Sequence, residues 1–221
     1  MIRIPFVVLV LVLLSGGCAL LGKSDPLVPR YFSPEAPDGS LGANHTTPRG
    51  APAGLALRIG RVGGGSYLKE RIVFRESNHE LGFYEDRRWT ERPEVYLQRA
   101  LERSFFEERG VQRAVSGASP TLTAELIEFE EVREAAGRVR IEVSYALHDD
   151  RRVIRERTFM VEQAIAAGEN ASRPERIAAG LGDALGRAVA EIVDQVIADL
   201  EATPATPPVV QADGSHGAQT K

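Results

Sequence analysis

Val139-Arg140-Ile141-Glu142-Val143-Ser144-Tyr145-Ala146-Leu147-His148 decides the fold. Val139, Ile141, Val143, Tyr145 and Leu147 take every second place, with Arg140, Glu142, Ser144, Ala146 and His148 between them. Side chains of a strand alternate between its two faces, so this segment has one apolar side and one polar side. That pattern predicts a strand in an open sheet, packed on one face and wetted on the other. Working outward, Thr121 to Val132 reads as a long, two-sided strand just upstream. Downstream, Asp149-Asp150 turns the chain into a further strand, about Val153 to Gln163.

The layer that covers the apolar side follows at once. Ser172-Arg173-Pro174-Glu175 is a capping-box sequence, in which serine and glutamate satisfy backbone donors at a helix start. Ile177, Leu181, Leu185, Ala188, Ile192, Val196 and Leu200 then form one apolar stripe over about seven helical turns. A second helix is predicted near Pro93 to Glu108, where Leu97, Ala100, Leu101, Ser104 and Phe105 share a face. Gly110 ends it, as a residue that tolerates left-handed backbone.

The first half of the chain supplies the remaining strands. Leu55, Leu57 and Ile59 alternate with Ala56, Arg58 and Gly60, a half-buried strand that Gly63-Gly64-Gly65-Ser66 is expected to stop. Ile72-Val73-Phe74 and Leu81 to Tyr84 predict a hairpin turning at Ser77-Asn78. Tyr31-Phe32 is an aromatic pair in a polar stretch and reads as a short strand or arm docked on the domain. Together these give an α+β fold (an α/β sandwich). A mixed sheet of about five strands is packed with two amphipathic helices, and the domain spans residues 55–201.

The ends of the chain differ from this body. Arg3, the unbroken apolar run Phe6 to Leu14, and Ser15-Gly16-Gly17 have the layout of a signal peptide over residues 1–17. Cys18, the single cysteine, follows at once, as in bacterial lipoprotein signals where that thiol is acylated. Ser15 stands where such signals usually carry leucine. The competing reading is a membrane helix over Ile4 to Gly22, which Pro5 and Gly16-Gly17 disfavour. Either way the rest of the chain is held at a membrane, outside the cytoplasm. Residues 18–54 are rich in Pro, Gly, Ser and Ala and read as a tether. Residues 202–221 read as a disordered tail.

Composition narrows the function. A net charge of −4 lacks the basic excess of a general nucleic-acid binder. With Cys18 committed to a lipid, no disulfide is available, so stability rests on packing. His45, His79, His148 and His216 are scattered and form no metal-ligand spacing. No serine sits in a nucleophile-elbow setting. Gly60 to Ser66 resembles a phosphate loop but has Ser66 where the lysine belongs. Glu85-Asp86, Glu107-Glu108 and Glu130-Glu131 read as solvated faces beside arginines. These residues give no catalytic site, no cofactor and no metal. The remaining cluster is Tyr67, Arg71, Phe83, Tyr84, Arg87, Arg88 and Trp89, on a hairpin running into a helix. Trp, Tyr and Arg are the residue types that dominate protein interfaces. Trp89 fits either a partner contact or a plug beneath the helix, with the arginines paired to Glu85 and Asp86.

Three runs in this region carry a family resemblance: Tyr67-Leu68-Lys69-Glu70-Arg71-Ile72-Val73-Phe74-Arg75, Leu81-Gly82-Phe83-Tyr84-Glu85, and Arg88-Trp89-Thr90-Glu91-Arg92-Pro93. They resemble the ABC-type transport auxiliary lipoproteins. That family shows a Tyr-Leu, a basic residue before a short strand ending in Arg, a tyrosine-bearing strand, and an Arg-Trp ahead of a Pro-started helix. Tyr31-Phe32 falls where the family often has an aromatic pair. Gly63-Gly64-Gly65-Ser66 replaces the proline that commonly precedes the Tyr-Leu.

The resemblance implies a periplasm-facing lipoprotein, acylated on Cys18, that works with an ABC permease, its ATPase and an MCE-domain protein. Such systems move phospholipids or other hydrophobic molecules across the envelope. The auxiliary subunit is not an enzyme; it docks the transporter at a membrane, often as a homo-oligomer. Tyr67, Arg71, Tyr84, Arg87, Arg88 and Trp89 are then the candidate partner contacts. Ala19 after Cys18 favours the outer membrane over the inner. The alternatives are an outer-membrane assembly lipoprotein, for barrel or lipopolysaccharide biogenesis, and an envelope hydrolase.

Overall fold

The computed structural model describes residues 26–36, 39–41, 50–52, 54–115, 119–133, 137–166 and 171–202. The signal segment, Cys18 and the tail beyond residue 202 lie outside the described residues. The strands are β1 (Arg30–Phe32), β2 (Ala56–Gly64), β3 (Arg71–Ser77), β4 (Glu80–Trp89), β5 (Gln112–Arg113), β6 (Thr121–Val132), β7 (Arg138–His148) and β8 (Val153–Ala164). The helices are α1 (Pro93–Glu102), continued by a π-helical segment (Arg103–Glu108), and α2 (Arg173–Ala202).

All eight strands join one mixed sheet, against the expectation of about five. β6 is its spine. Along one edge it pairs antiparallel with β7, from Thr121↔His148 to Val132↔Arg138, and β7 pairs antiparallel with β8. Its other edge is shared: β2 runs parallel to its first half and β3 parallel to its second half. The β3–β4 hairpin turns at Asn78-His79, one residue later than predicted. β1 lies parallel to β4, with Tyr31↔Arg88 and Phe32↔Trp89, so the aromatic pair is a docked strand. β5 adds a two-residue parallel bridge to β2.

β2 ends inside the glycine run, at Gly64, two residues later than a stop at Gly63 would place it. Gly63 and Gly64 pair with Glu125 and Leu126 of β6. The reason is a close approach rather than flexibility: a Cβ on Gly64 would come within 2.9 Å of the Glu94 carboxylate at the start of α1.

Alternation on β7 decides where the core lies. Val139, Ile141, Val143, Tyr145 and Leu147 are buried, and their β6 neighbours Leu122, Leu126 and Phe129 share that side. Against them pack Ile177, Leu181, Leu185, Ala188, Ile192 and Val196 of α2, with Tyr96, Leu97 and Leu101 of α1. Each such aliphatic side chain contributes roughly 1.5–3 kcal/mol relative to exposure. Both helices touch each other and lie on one face; the opposite face carries the polar residues of β7. At the start of α2 the Glu175 carboxylate accepts the Ser172 backbone N–H at 2.7 Å, one half of the predicted capping box.

Part of the stretch read as a tether is packed on the domain. Phe32, Pro34 and Leu41 are buried, and Glu35 pairs with Arg99 of α1 at 3.3 Å. This arm crosses α2 over glycines. A Cβ on Gly182 would fall 2.1 Å from the Pro34 carbonyl oxygen, and one on Gly186 would fall 3.0 Å from that of Leu41.

Candidate functional site

Glu130 and Glu131 are both 0% exposed, which corrects their reading as a solvated pair. Consecutive strand residues point to opposite faces, so each carboxylate needs its own cations, and each has them. On the helix-bearing face Glu131 accepts Tyr84 Oη at 2.5 Å and Arg173 Nε and Nη2 at 3.0 and 2.6 Å. Arg133 Nε stands 3.6 Å away. On the other face Glu130 accepts Arg75 Nε at 2.5 Å, and Arg75 also reaches Glu128 at 3.1 Å. Arg140 lies 3.6 Å from Glu128 and bonds Glu162 at 2.6 Å.

Burial pushes the Glu130 carboxyl above the ordinary glutamate value; the Arg75 hydrogen bond opposes this and the Glu128 charge adds to it. Burial also raises the Tyr84 phenol, helped by its bond to the Glu131 carboxylate. Each buried carboxylate is met by arginine within the fold, a structural use of charge.

An arginine–aromatic stack continues the helix-side cluster to the surface. Arg133 lies 3.4 Å from the centre of the Phe74 ring, Phe74 meets Tyr84 edge-on at 5.1 Å, and Arg87 lies 4.0 Å from the Tyr84 ring. Contacts of this kind contribute about 0.5–2 kcal/mol each.

The hairpin thus gathers most of the sequence-predicted residues, but on different faces and in different roles. Trp89 is 1% exposed, wedged edge-on against Phe129 at 5.2 Å and Tyr96 at 6.4 Å. It is the plug beneath α1 and offers no surface to a partner. Tyr67 is half-buried; its hydroxyl donates to the Ile127 carbonyl at 2.8 Å, where β6 bulges between Leu126 and Glu128. Arg87 pairs with Asp86 at 3.8 Å as well as stacking on Tyr84.

Arg71 and Arg88 sit directly opposite each other across the hairpin. Like charges so placed repel. Each is held by a local partner: Arg71 lies 4.8 Å from the Phe83 ring centre, and Arg88 Nη1 donates to the Tyr84 and Arg87 carbonyls at 3.1 Å. Tyr31 of β1 pairs with Arg88 and is exposed at the sheet edge. Sequence reasoning did not join Tyr31 to the hairpin, because fifty-six residues separate it from its neighbour Arg88.

His79 lies in the β3–β4 turn and His148 at the end of β7, as expected; His45 and His216 lie outside the described residues. Asp149, beside His148, is used by its own turn. It accepts the Arg151 and Arg152 backbone N–H groups at 2.7 and 2.9 Å, which holds its carboxyl below the ordinary aspartate value. Among the described residues no group of three or more His, Cys, Asp or Glu is placed to hold a metal ion. Among them, too, no helix is long and apolar enough to cross a membrane. Cys18 lies outside the described residues.

The fold has solved counterparts. Protein XCC0632 from Xanthomonas campestris, assigned to DUF330, superposes with a TM-score of 0.60 at 19% identity, covering 71% of this chain and 95% of that one. A second, uncharacterized protein superposes at 0.58 with 15% identity, covering 76% and 99%. At these identities the likeness is one of fold. No curated protein sequence matches the chain. The family model described as the ABC-type transport auxiliary lipoprotein component matches residues 40–196, which include the hairpin, both buried carboxylates and most of α2. This chain therefore belongs to the ABC-type transport auxiliary lipoprotein family.

Proposed function

We propose that this protein is a non-catalytic docking subunit, acylated on Cys18 and facing the periplasm. It couples an ABC permease and ATPase, together with an MCE-domain protein, to the envelope during transport of phospholipids or other hydrophobic molecules. Family membership over residues 40–196 is the observation that carries this reading. The signal-like segment ending in Ser15-Gly16-Gly17-Cys18 supports the anchor.

The physical logic is simple. One acyl chain holds a protein at a bilayer only marginally, so several chains on Cys18 are required for stable residence. Anchoring confines the domain near its partners and raises their effective concentration. The buried ion clusters fix the hairpin against the sheet and α2, so the Arg71–Arg88 surface is presented rigidly. Ala19 after Cys18 points to outer-membrane residence.

The test is co-purification from detergent-solubilised membranes, with mass spectrometry of the partners and of the Cys18 peptide. A diacylated or triacylated Cys18 and recovery of permease, ATPase and MCE-domain subunits are expected. An unmodified thiol, or a barrel-assembly partner in their place, overturns the reading.

A further inference from the structure

Seven large apolar residues stand exposed among the described residues: Leu27, Val28, Tyr31, Val95, Val115, Val153 and Met160. Three of them fall within five consecutive positions, with Leu27 58%, Val28 76% and Tyr31 62% exposed. Arg30 lies among them, also exposed. Aliphatic groups, a tyrosine and an arginine on one edge match the chemistry of a bilayer interface. There an apolar body enters the acyl boundary, a tyrosine ring sits at headgroup level, and a cation meets lipid phosphate.

The chain outside the described residues says what covers this edge. Arg30 follows Cys18 by only twelve positions, which fully extended span at most about 43 Å. A tether free up to Gly54 would allow at most about 130 Å. Because β1 is locked onto β4 through Arg30↔Arg87 to Phe32↔Trp89, the docked arm removes that freedom. The anchored thiol is therefore closest along the chain to this edge of the sheet. β8 forms the far edge, five strand spacings away, or about 24 Å.

We infer that the β1 edge, through Leu27, Val28, Arg30 and Tyr31, lies against the lipid bilayer and sets the orientation of the domain. The inference rests on acylation of Cys18 and adds a membrane-contacting surface to it. The β8 edge then faces away from the membrane.

The test uses the full-length lipoprotein in vesicles of phosphatidylethanolamine and phosphatidylglycerol. Val28→Cys and Met160→Cys are labelled separately with an environment-sensitive fluorophore. With Cys18 acylated, each introduced thiol is the sole one. The Val28→Cys label is expected to shift to the blue and to be quenched several-fold more strongly by nitroxide lipid than the Met160→Cys label. Equal quenching at both positions, in protein that floats with the vesicles, overturns this inference and leaves the anchor intact. An unmodified Cys18 peptide with no flotation overturns the anchor, and the inference with it. A blue shift of the Val28→Cys label in Cys18→Ser protein without vesicles shows a second copy on this edge, and also overturns it.

Discussion

Tyr84 Oη donates to Glu131 Oε2 at 2.5 Å, so a hydroxyl on β4 completes the shell of a carboxylate that is 0% exposed on β6. The bond spans forty-seven residues of sequence and ties hairpin to sheet spine, while Arg173 ties the same carboxylate to the start of α2. Tyr84→Phe removes the donor and keeps the ring between Arg87 and Phe74. A hydrogen bond to a charged group contributes about 1.5–3 kcal/mol, so a loss in that range is expected. Urea unfolding of the purified full-length protein checks it; an unchanged midpoint would show that Arg133 and Arg173 suffice for Glu131.

Trp89 separates packing from hydrogen bonding. Its ring is buried against Phe129 and Tyr96, yet its Nε1 has no hydrogen-bond partner among the described residues. Trp89→Ala is expected to cost about 3–5 kcal/mol through the cavity left behind. Trp89→Phe keeps an aromatic plug and deletes the unpaired N–H, so it should cost clearly less. Thermal melts of the two variants decide the matter, and equal losses would mean that the indole N–H has a partner after all.

Gly182 reports on the docked arm. Replacing glycine by alanine inside a helix ordinarily gains up to about 1 kcal/mol. Here the new Cβ would fall 2.1 Å from the Pro34 carbonyl oxygen, a backbone atom that cannot turn aside. Gly182→Ala should therefore lift the arm at residues 33–36 and 39–41 while sheet and helices stay folded. Hydrogen exchange is the measurement: faster exchange confined to the arm is expected, and an unchanged arm refutes the contact.

The parts of this fold that could be read in advance are those whose signal repeats along the chain. β6 runs from Thr121 to Val132 as predicted, and β7 ends at His148, because period-two alternation is set by the strand itself. The stripe of α2 was legible for the same reason at helical spacing. β5 has two residues and β1 three, too few to show any period; their hydrogen bonds come from partners far away in sequence. Glu130 and Glu131 misled most. Acidic neighbours look solvated until register places Arg75 beside one and Arg173 beside the other, fifty-five and forty-two residues distant. The continuation of α1 as a π-helical segment left no mark in the apolar face that predicted one helix to Glu108.

Glu130 gives the protein a pH signature. Its carboxyl is raised above the ordinary value of 4.5, chiefly by burial. An acid with a raised pKa in the folded state holds its proton more tightly folded than unfolded. Its contribution is therefore fully present below the unfolded value and is lost as pH rises through the folded one. Glu130→Gln cannot titrate, so the melting temperature of the wild type relative to this variant should fall as pH rises from 4.5. A difference that is flat, or that grows with pH, would mean that Arg75 outweighs burial.

Arg71 and Arg88 test the partner surface without disturbing the core. They face each other across the hairpin, outside both buried carboxylate clusters. Neither charge is needed to neutralise Glu130 or Glu131, and removing either one relieves the repulsion between them. Arg71→Ala and Arg88→Ala should therefore leave the protein folded, each losing no more than its local contacts contribute, about 1 kcal/mol. If this surface grips the transporter, each variant should lower recovery of the permease–ATPase complex from solubilised membranes, and the double variant should lower it further. Rim charges act mainly on association rate and salt dependence. Binding by the wild type should accordingly weaken with added salt, and binding by the double variant should respond much less. Full recovery by the double variant would move the contact off the β3–β4 hairpin.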